Sequence, residues 1–194
     1  MFIIALASIQ SKIFADNNLN FDDYGVVSIM YHRFNESKYP STNIQMEVFL
    51  KQLDMIEQMN IKFIDPKDFR QKLLENKRER KILLTVDDGL LSFYKNAWPV
   101  LREKKIPFIL FVNTREVGSY NYMNWDQIIE ISNSDIVEIG NHSHSHEYLV
   151  DESPEFIKKD ILKSIEIFEK KLGRNSDFFS YPFGEYSLEF KKVI

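Results

Sequence analysis

Short apolar segments alternate with amphipathic stretches along most of this chain, and this alternation is the feature that most restricts its fold. Uninterrupted apolar segments are typical of parallel strands covered on both faces, and the stretches between them carry apolar residues at helical spacing. Repeated β-α units of this kind build an open sheet or a closed barrel, and periodicity alone does not choose between them. Strands are predicted at 26–31, 62–64, 82–86, 107–112, 136–139 and 178–181, and helices near 46–59, 66–75, 92–104, 125–132 and 154–172.

The predicted helix at 154–172 has the clearest local signals. Ser153 can cap its N-terminus, Pro154 suits its first turn, and Gly173 can end it. Its apolar residues recur at helical spacing: Ile157, Ile161, Ile165, Phe168 and Leu172. Pro99 lies inside the predicted helix at 92–104, so we expect that helix to kink or to split into two short pieces.

Length and composition indicate one globular domain over residues 20–194. The chain has 194 residues, of which 44% are hydrophobic and 28% charged, as in folded soluble domains. Its formal net charge is -4, and the sequence has no basic patch of the kind that binds phosphates, so no nucleic-acid partner is expected. The sequence gives no indication of the oligomeric state.

The first fifteen residues are apolar and precede the polar Asp16, which fits a signal-peptide core with cleavage after Ala15. We therefore expect export to the periplasm or cell envelope, with membrane contact only through this segment; without such a signal the chain would be cytoplasmic. The fit is incomplete, because no basic residue precedes the run and Ile13 is large for its position. A membrane anchor is the alternative, but spanning needs ~20 apolar residues.

Two polar clusters follow predicted strands and carry the candidate chemistry. Asp87-Asp88-Gly89 ends the strand at 82–86, and His142, His144 and His146 alternate after the strand at 136–139. An Asp-Gly pair alone is more often a turn, and a histidine cluster alone is an even choice between a polar loop and a metal site. Together they supply carboxylate and imidazole ligands, a position for water and a second carboxylate, so we predict a catalytic metal site.

These segments resemble the polysaccharide deacetylases that share the NodB homology domain, carbohydrate esterase family 4. The family's Thr-Phe-Asp-Asp-Gly motif corresponds to Thr85-Val86-Asp87-Asp88-Gly89, and its His-Ser/Thr-x-x-His motif to His142-Ser143-His144-Ser145-His146. Tyr181-Pro182-Phe183-Gly184 matches a third motif, and Met30-Tyr31-His32-Arg33 resembles a strand of the branch acting on exported bacterial polysaccharides such as poly-N-acetylglucosamine. The resemblance implies an α/β fold, a distorted (β/α) barrel of the NodB type, with the site at the carboxyl ends of the strands.

The same resemblance implies roles for individual residues. Asp88, His142 and His146 would hold a divalent metal, Asp87 would be the catalytic base, and the backbone N–H of Tyr181 would stabilise the oxyanion. Zinc is the first choice of metal, with Co²⁺, Ni²⁺ or Fe²⁺ as alternatives, because mixed nitrogen and oxygen ligands discriminate poorly. For Tyr181, a purely structural role in the Pro182 turn is the competing interpretation.

Three further residues are candidates for substrate contact: His32, Trp125 and Pro182. His32 is either a packed residue at a strand end or a border of the pocket, as in the similar branch. Trp125 could stack on a sugar ring, although core packing is the more frequent role of tryptophan. Pro182 belongs to the third motif. His144 would face away from the ligands on either side of it, and its expected place is outside the metal shell.

The chain departs from the family pattern at two places. Ser180 stands where many relatives have an arginine, and no histidine follows His146 to protonate the leaving amine. We therefore expect an incomplete barrel that lacks C-terminal units. The alternatives are a barrel closed by a partner and a weakened enzyme, since loss of a general acid costs about 10²–10⁴-fold in rate.

The primary functional hypothesis is a metal-dependent hydrolase that removes N-acetyl groups from a β-linked polysaccharide that contains N-acetylglucosamine. The alternatives are a catalytically impaired carbohydrate-binding domain and a deacylase that removes O-acetyl or formyl groups from another sugar. His142-x-His144 also resembles the His-x-His of amidohydrolases. Those enzymes need further histidines downstream, so this alternative is the weakest.

Overall fold

The computed structural model of the chain describes residues 25–75 and 79–194, and its main element is a parallel sheet. The predicted signal peptide at residues 1–15 lies outside these ranges. The strands are β1 (Val26–Tyr31), β2 (Arg33–Phe34), β3 (Asn43–Ile44), β4 (Lys62–Phe63), β5 (Lys81–Val86), β6 (Phe108–Val112) and β7 (Val137–Asn141). The sheet has the order β1-β5-β6-β7, and β4 also pairs with β5. All of these pairings are parallel.

Helices connect the strands. They are α1 (Met46–Gln58), α2 (Phe69–Leu74), α3 (Trp98–Lys104), α4 (Trp125–Ser132), α5 (Pro154–Leu172) and α6 (Leu188–Val193). Short 3₁₀ turns cover Pro66–Asp68, Leu149–Asp151 and Pro182–Gly184, and a π-helical turn covers Phe93–Ala97. Within the described residues no helix combines the length and the apolar character that crossing a membrane requires.

Both faces of the central strands are buried, which explains why their sequences are apolar throughout. Leu84 and Leu110 face a large core shared with the aromatic residues Phe49 and Phe93. Leu83, with Ile109 and Phe111, faces a smaller cluster on the other side of the sheet. Successive residues of a strand point to opposite faces, so β5 and β6 contribute to both clusters.

The sequence predicted α4 and α5 with the observed bounds. Asn124 and Gln127 form a reciprocal capping box at the start of α4. Ser153 accepts a hydrogen bond from the N–H of Phe156, and Gly173 ends α5 in the left-handed conformation at φ 69°. The predicted break at Pro99 is also confirmed, because the π-helical turn ends at Ala97 and α3 begins at Trp98, with the proline in its first turn.

The strand predicted at 178–181 is wrong in extent. Here the chain makes a single parallel bridge between Phe179 and Asn141 at the end of β7. The N–H of Asn141 donates to Phe178 O at 2.8 Å, and the N–H of Ser180 donates to Asn141 O at 3.0 Å. Pairing stops there, because Pro182 has no N–H to donate and begins a 3₁₀ turn. The two-residue strands β2 and β3 are too short for periodicity to reveal.

Within the described ranges the sheet is open, with β1 at one edge and β7, extended by the Phe179 bridge, at the other. The predicted α/β class with parallel strands is confirmed, and an open sheet is the arrangement that an incomplete barrel would have. The carboxyl ends of β5, β6 and β7 lie side by side, and this edge carries the polar clusters found in the sequence.

Candidate metal centre

The candidate site forms where β5 and β7 end on either side of β6. Asp87 continues the pairing of β5, because its N–H donates to Tyr31 O at 2.9 Å. Asp88 then leaves the strand at φ 74°, and Gly89 follows at φ 69°. Aspartate tolerates the left-handed conformation better than most residues do, and the turn lets two adjacent carboxylates serve one site.

Three side chains converge on one point: Asp88, His142 and His146 each offer a ligand atom, and these atoms lie within 4.8 Å of one another. Asp88 Oδ1 is 3.2 Å from Nε2 of His146 and 3.6 Å from Nε2 of His142. Two ligand atoms on a tetrahedral ion, with bonds of about 2.0–2.2 Å, would be about 3.3–3.6 Å apart. The separations of Asp88 Oδ1 from the two imidazole nitrogens therefore suit a tetrahedral cation.

The unsatisfied polar atoms also fit a cation. Asp88 Oδ1 is buried and has no hydrogen-bond partner by geometry, although Nε2 of His146 lies 3.2 Å away. Burial disfavours ionisation of Asp88, but His146 and His142 outweigh it and leave the pKa of Asp88 below its usual value. An ionised, buried oxygen without a donor is what a cation would satisfy.

His142 is held ready to coordinate through one nitrogen. Its Nδ1 lies 2.8 Å from Ser180 O, so the N–H is at Nδ1 and the lone pair is at Nε2, on the side of Asp88. Burial, with the neighbouring His146, lowers the pKa of His142 to about 4. The ring is thus neutral at physiological pH. Burial also works against protonation of His146, but Asp88 raises the pKa of His146 above its usual value.

Asp87 lies beside this cluster. It is 3% exposed, and its Oδ2 accepts a hydrogen bond from Ser180 Oγ at 3.2 Å and lies 3.9 Å from His142 Nε2. Its Oδ1 is buried and has no hydrogen-bond partner. Burial and the charge of Asp88 raise the pKa of Asp87 to about 7. Such a carboxylate can exchange a proton near neutral pH.

The turn after Ser180 supplies two backbone N–H groups without a protein acceptor among the described residues, those of Tyr181 and Phe183. The ring of Tyr181 packs against Phe179 and Phe190, away from the histidines. Phe183 has φ 61°, and its ring centroid is 5.0 Å from that of His146. Phe183 is thus a second candidate oxyanion donor that the sequence did not single out.

The three predicted substrate residues lie in different surroundings. His32 is within electrostatic reach of the site, since burial lowers its pKa while Asp88 opposes this and His146 adds to it. Pro182 is buried at the start of the 3₁₀ turn. The ring of Trp125 packs edge-on against Phe168 of α5, and no contact supports its predicted substrate role. Tyr122, in the same loop, is close enough to Asp88 to feel its charge: burial, and then the charge of Asp88, raise the pKa of Tyr122.

Comparison with known proteins identifies the family. The model of the polysaccharide deacetylase family matches residues 74–194, more than half of the chain. The chain belongs to this family. It is 23% identical to a poly-beta-1,6-N-acetyl-D-glucosamine N-deacetylase of Staphylococcus aureus, over 86% of this chain and 67% of that protein. It is 24% identical to YxkH of Bacillus subtilis, which is named as a polysaccharide deacetylase. That match covers 85% of this chain but only 59% of the relative's length.

Solved structures show the same architecture in this deacetylase family. IcaB from Ammonifex degensii is 27% identical and superimposes with a TM-score of 0.81, over 88% of this chain and 79% of that one. The deacetylase PplD of Streptococcus pyogenes, solved in complex with acetate, has a TM-score of 0.74 at 20% identity, over 88% and 78% of the two chains. The second likeness shows the fold alone.

Several residues that support this deacetylase-family site could not be found from the sequence. Ser180 contacts both Asp87 and His142, although it is 93 residues from the first and 38 from the second. In the sequence, Ser180 is notable only because many relatives have an arginine at this position. His144 lies outside the group of three residues that could hold a metal, and its Nδ1 is 2.8 Å from Thr114 Oγ1. Asp160 on α5 is a buried carboxylate, but in the sequence it is an ordinary acidic residue beside lysines and does not indicate a buried role.

Proposed function

We propose that this chain is the catalytic part of a metal-dependent deacetylase that removes N-acetyl groups from a poly-N-acetylglucosamine. The observation that carries the proposal is the convergence of Asp88, His142 and His146 on one point with Asp87 beside it. Family membership supports the reaction type, and the name of the Staphylococcus aureus relative supports the β-1,6-linked polymer as substrate.

Each residue would have a distinct task. Asp88, His142 and His146 would hold the ion, with zinc preferred and Co²⁺, Ni²⁺ or Fe²⁺ as alternatives. A bound ion of this kind lowers the pKa of its water ligand toward neutrality and polarises a carbonyl oxygen. Asp87 would accept the proton of the attacking water. The N–H of Tyr181, or that of Phe183, would donate a hydrogen bond to the oxyanion that develops on the acetamide.

The surroundings of Asp87 support its role as base. Near neutral pH its carboxylate is partly protonated in the metal-free chain, since its pKa is about 7. A cation held by Asp88 would favour the ionised form, and Oδ1 has no partner that would compete for the proton. His32 at the border of the site, together with Pro182, would contact the sugar. Export through the segment at residues 1–15 remains part of the proposal.

The test is acetate release from β-1,6-linked N-acetylglucosamine oligomers. We expect release to stop after chelation and to return with Zn²⁺ or Co²⁺. Asp87→Asn should lower the rate about 10²–10⁴-fold, because loss of a general base has that effect, while Zn²⁺ binding by the variant is retained.

Asp126→Asn is the matched control, since Asp126 lies exposed in the first turn of α4 and should leave the rate unchanged. Acetate release that resists chelation would refute the proposal. Oligomer binding without acetate release would favour the carbohydrate-binding alternative. Release from O-acetylated but not N-acetylated sugars would change the substrate class and keep the site.

A further inference from the structure

Helix α5 lies directly against the loop that carries His142 and His146, and a buried carboxylate joins the two. Asp160 on α5 is 7% exposed. Its Oδ1 accepts a hydrogen bond from the N–H of His144 at 2.7 Å, and its Oδ2 accepts one from the N–H of Ser145 at 3.0 Å. Both oxygens of Asp160 are therefore bonded to the backbone between the two histidine ligands.

A second contact with α5 lies at the start of the same loop. Asn141, the last residue of β7, donates from Nδ2 to Ser164 Oγ at 2.8 Å, one turn further along α5. Asn141 Oδ1 in turn accepts the N–H of Ser143 at 2.9 Å. Hydrogen bonds to α5 thus hold the loop at Asn141 and again at Ser145.

The loop needs such support because its backbone is unusual. Ser143 has φ 66° and His146 has φ 54°, so two residues without glycine's freedom adopt the left-handed conformation within four positions. Residues in this conformation persist only where their surroundings fix them. Asp160 fixes the two N–H groups between them, and the rings of His142 and His146 then meet 4.8 Å apart, centroid to centroid.

We infer that Asp160 is a positioning residue that sets the loop so that the Nε2 atoms of His142 and His146 converge on Asp88 before any metal binds. Asp160 lies outside the group of three residues that could hold the ion. The inference rests on the proposed function of that cluster as a metal site. Asparagine at position 160 would offer one oxygen and turn an NH₂ group toward one of the two N–H donors, so Asp160→Asn removes about half of the support without changing the size of the side chain.

The experiment compares Asp160→Asn with Ile157→Ala. Ile157 is buried on the same helix in an apolar cluster with Leu149 and Phe190, and its side chain can make no hydrogen bond to the loop. In the metal-free chain, we expect the amides of His144 and Ser145 to exchange hydrogen at least about tenfold faster in Asp160→Asn than in Ile157→Ala. The Kd for Zn²⁺ should rise about 10–100-fold in Asp160→Asn only, as is usual when a residue supporting metal ligands is lost. The absorption spectrum of bound Co²⁺ should change in parallel.

Asp160→Glu is a second variant, which keeps the charge. We expect it to bind Zn²⁺ less tightly than the wild type but more tightly than Asp160→Asn, and it keeps the inference testable if Asp160→Asn does not fold. Unchanged amide exchange and unchanged Kd in Asp160→Asn would overturn the inference. An equal loss of Zn²⁺ affinity in Ile157→Ala would also overturn it, because the effect would then be general destabilisation. A wild-type chain that binds no Zn²⁺ would refute the proposed function instead, and amide exchange in the metal-free chain would still decide whether Asp160 holds the loop.

Discussion

Asp87 and Asp88 are neighbours in the chain, yet their surroundings give them opposite acid–base behaviour. Burial and the charge of Asp88 raise the pKa of Asp87, whereas His146 and His142 overcome the effect of burial at Asp88 and lower its pKa. The difference arises because Asp88 lies beside the two imidazoles, where the chain leaves the strand at φ 74°. For a non-glycine residue this conformation costs about 1–2 kcal/mol, so the site depends on contacts that repay it.

Ser180 offers a test of this acid–base division. Its hydroxyl donates to Asp87 Oδ2 and stabilises the ionised carboxylate, which holds the pKa of Asp87 lower than burial alone would. Ser180→Ala should therefore raise that pKa. A base must be ionised to act, so the rise of activity with pH should move to higher pH, by about one unit or less.

The measurement is the pH profile of kcat/KM for acetate release. Ser187→Ala is the control, since the Ser187 hydroxyl only accepts a hydrogen bond from the N–H of Phe190 at the start of α6. A profile in Ser180→Ala that stays in place or moves to lower pH would contradict the role of Asp87 as base. The carbonyl of Ser180 remains in the variant, so the contact with His142 Nδ1 should persist.

At the scale of the element, the sequence predicted structure well where the signals are local. The strand β1 and the helices α4 and α5 have the predicted bounds, because apolar periodicity and caps such as Ser153 lie within the segments themselves. The segment at 178–181 failed because its pairing depends on Asn141 and on where Pro182 stops the ladder. That pairing is nonetheless what brings Ser180 beside Asp87.

Gly140 in β7 is an element-level feature with a measurable consequence. A Cβ at this position would lie 2.2 Å from Cδ1 of the Phe111 ring and 3.0 Å from Cγ2 of Ile109. Both neighbours are buried, so the ring must move within a packed cluster. Gly140→Ala should lower the free energy of unfolding by about 1–3 kcal/mol, which thermal denaturation can measure.

The double variant Gly140→Ala with Phe111→Leu provides the control for that steric explanation. Removing the ring edge should make the alanine less costly, so the two changes should cost less together than the sum of their separate effects. Strict additivity would contradict the clash as the cause. Because Phe111 also lies 6.4 Å from the His142 ring, centroid to centroid, Gly140→Ala should weaken Zn²⁺ binding as well.

At the scale of the whole molecule, the site is a product of topology. Asp88 and His146 lie far apart in sequence and meet because β5, β6 and β7 are parallel neighbours whose carboxyl ends share one edge. The sequence could predict that edge and the convergence of Asp88, His142 and His146 there, because the motifs follow apolar segments. It could not predict the contacts of Ser180, Asp160 or Phe183, because each spans elements whose packing no local pattern encodes.

This topology predicts that a metal ion bound at the proposed site would stabilise the entire chain. Asp88 and the two histidines come from two distant segments, so an ion that bound all three would favour the folded state over an unfolded chain in which they are separated. At a free Zn²⁺ concentration of 100 times Kd, the gain is about 2.7 kcal/mol. For a chain of this size such a gain raises Tm by about 5–10 °C.

Thermal denaturation with and without Zn²⁺ measures the effect, and Asp88→Asn is the matched control because it replaces the charged carboxylate with a weaker, neutral amide oxygen while keeping the shape of the side chain. The variant should lose most of the Zn²⁺-dependent rise. Mg²⁺ at the same concentration should have little effect on either protein, since it prefers oxygen ligands and keeps its waters. An equal rise in Asp88→Asn and wild type would mean that Zn²⁺ binds elsewhere. The convergence of Asp88, His142 and His146 would then have to be explained by the attraction between the Asp88 carboxylate and the two imidazoles alone.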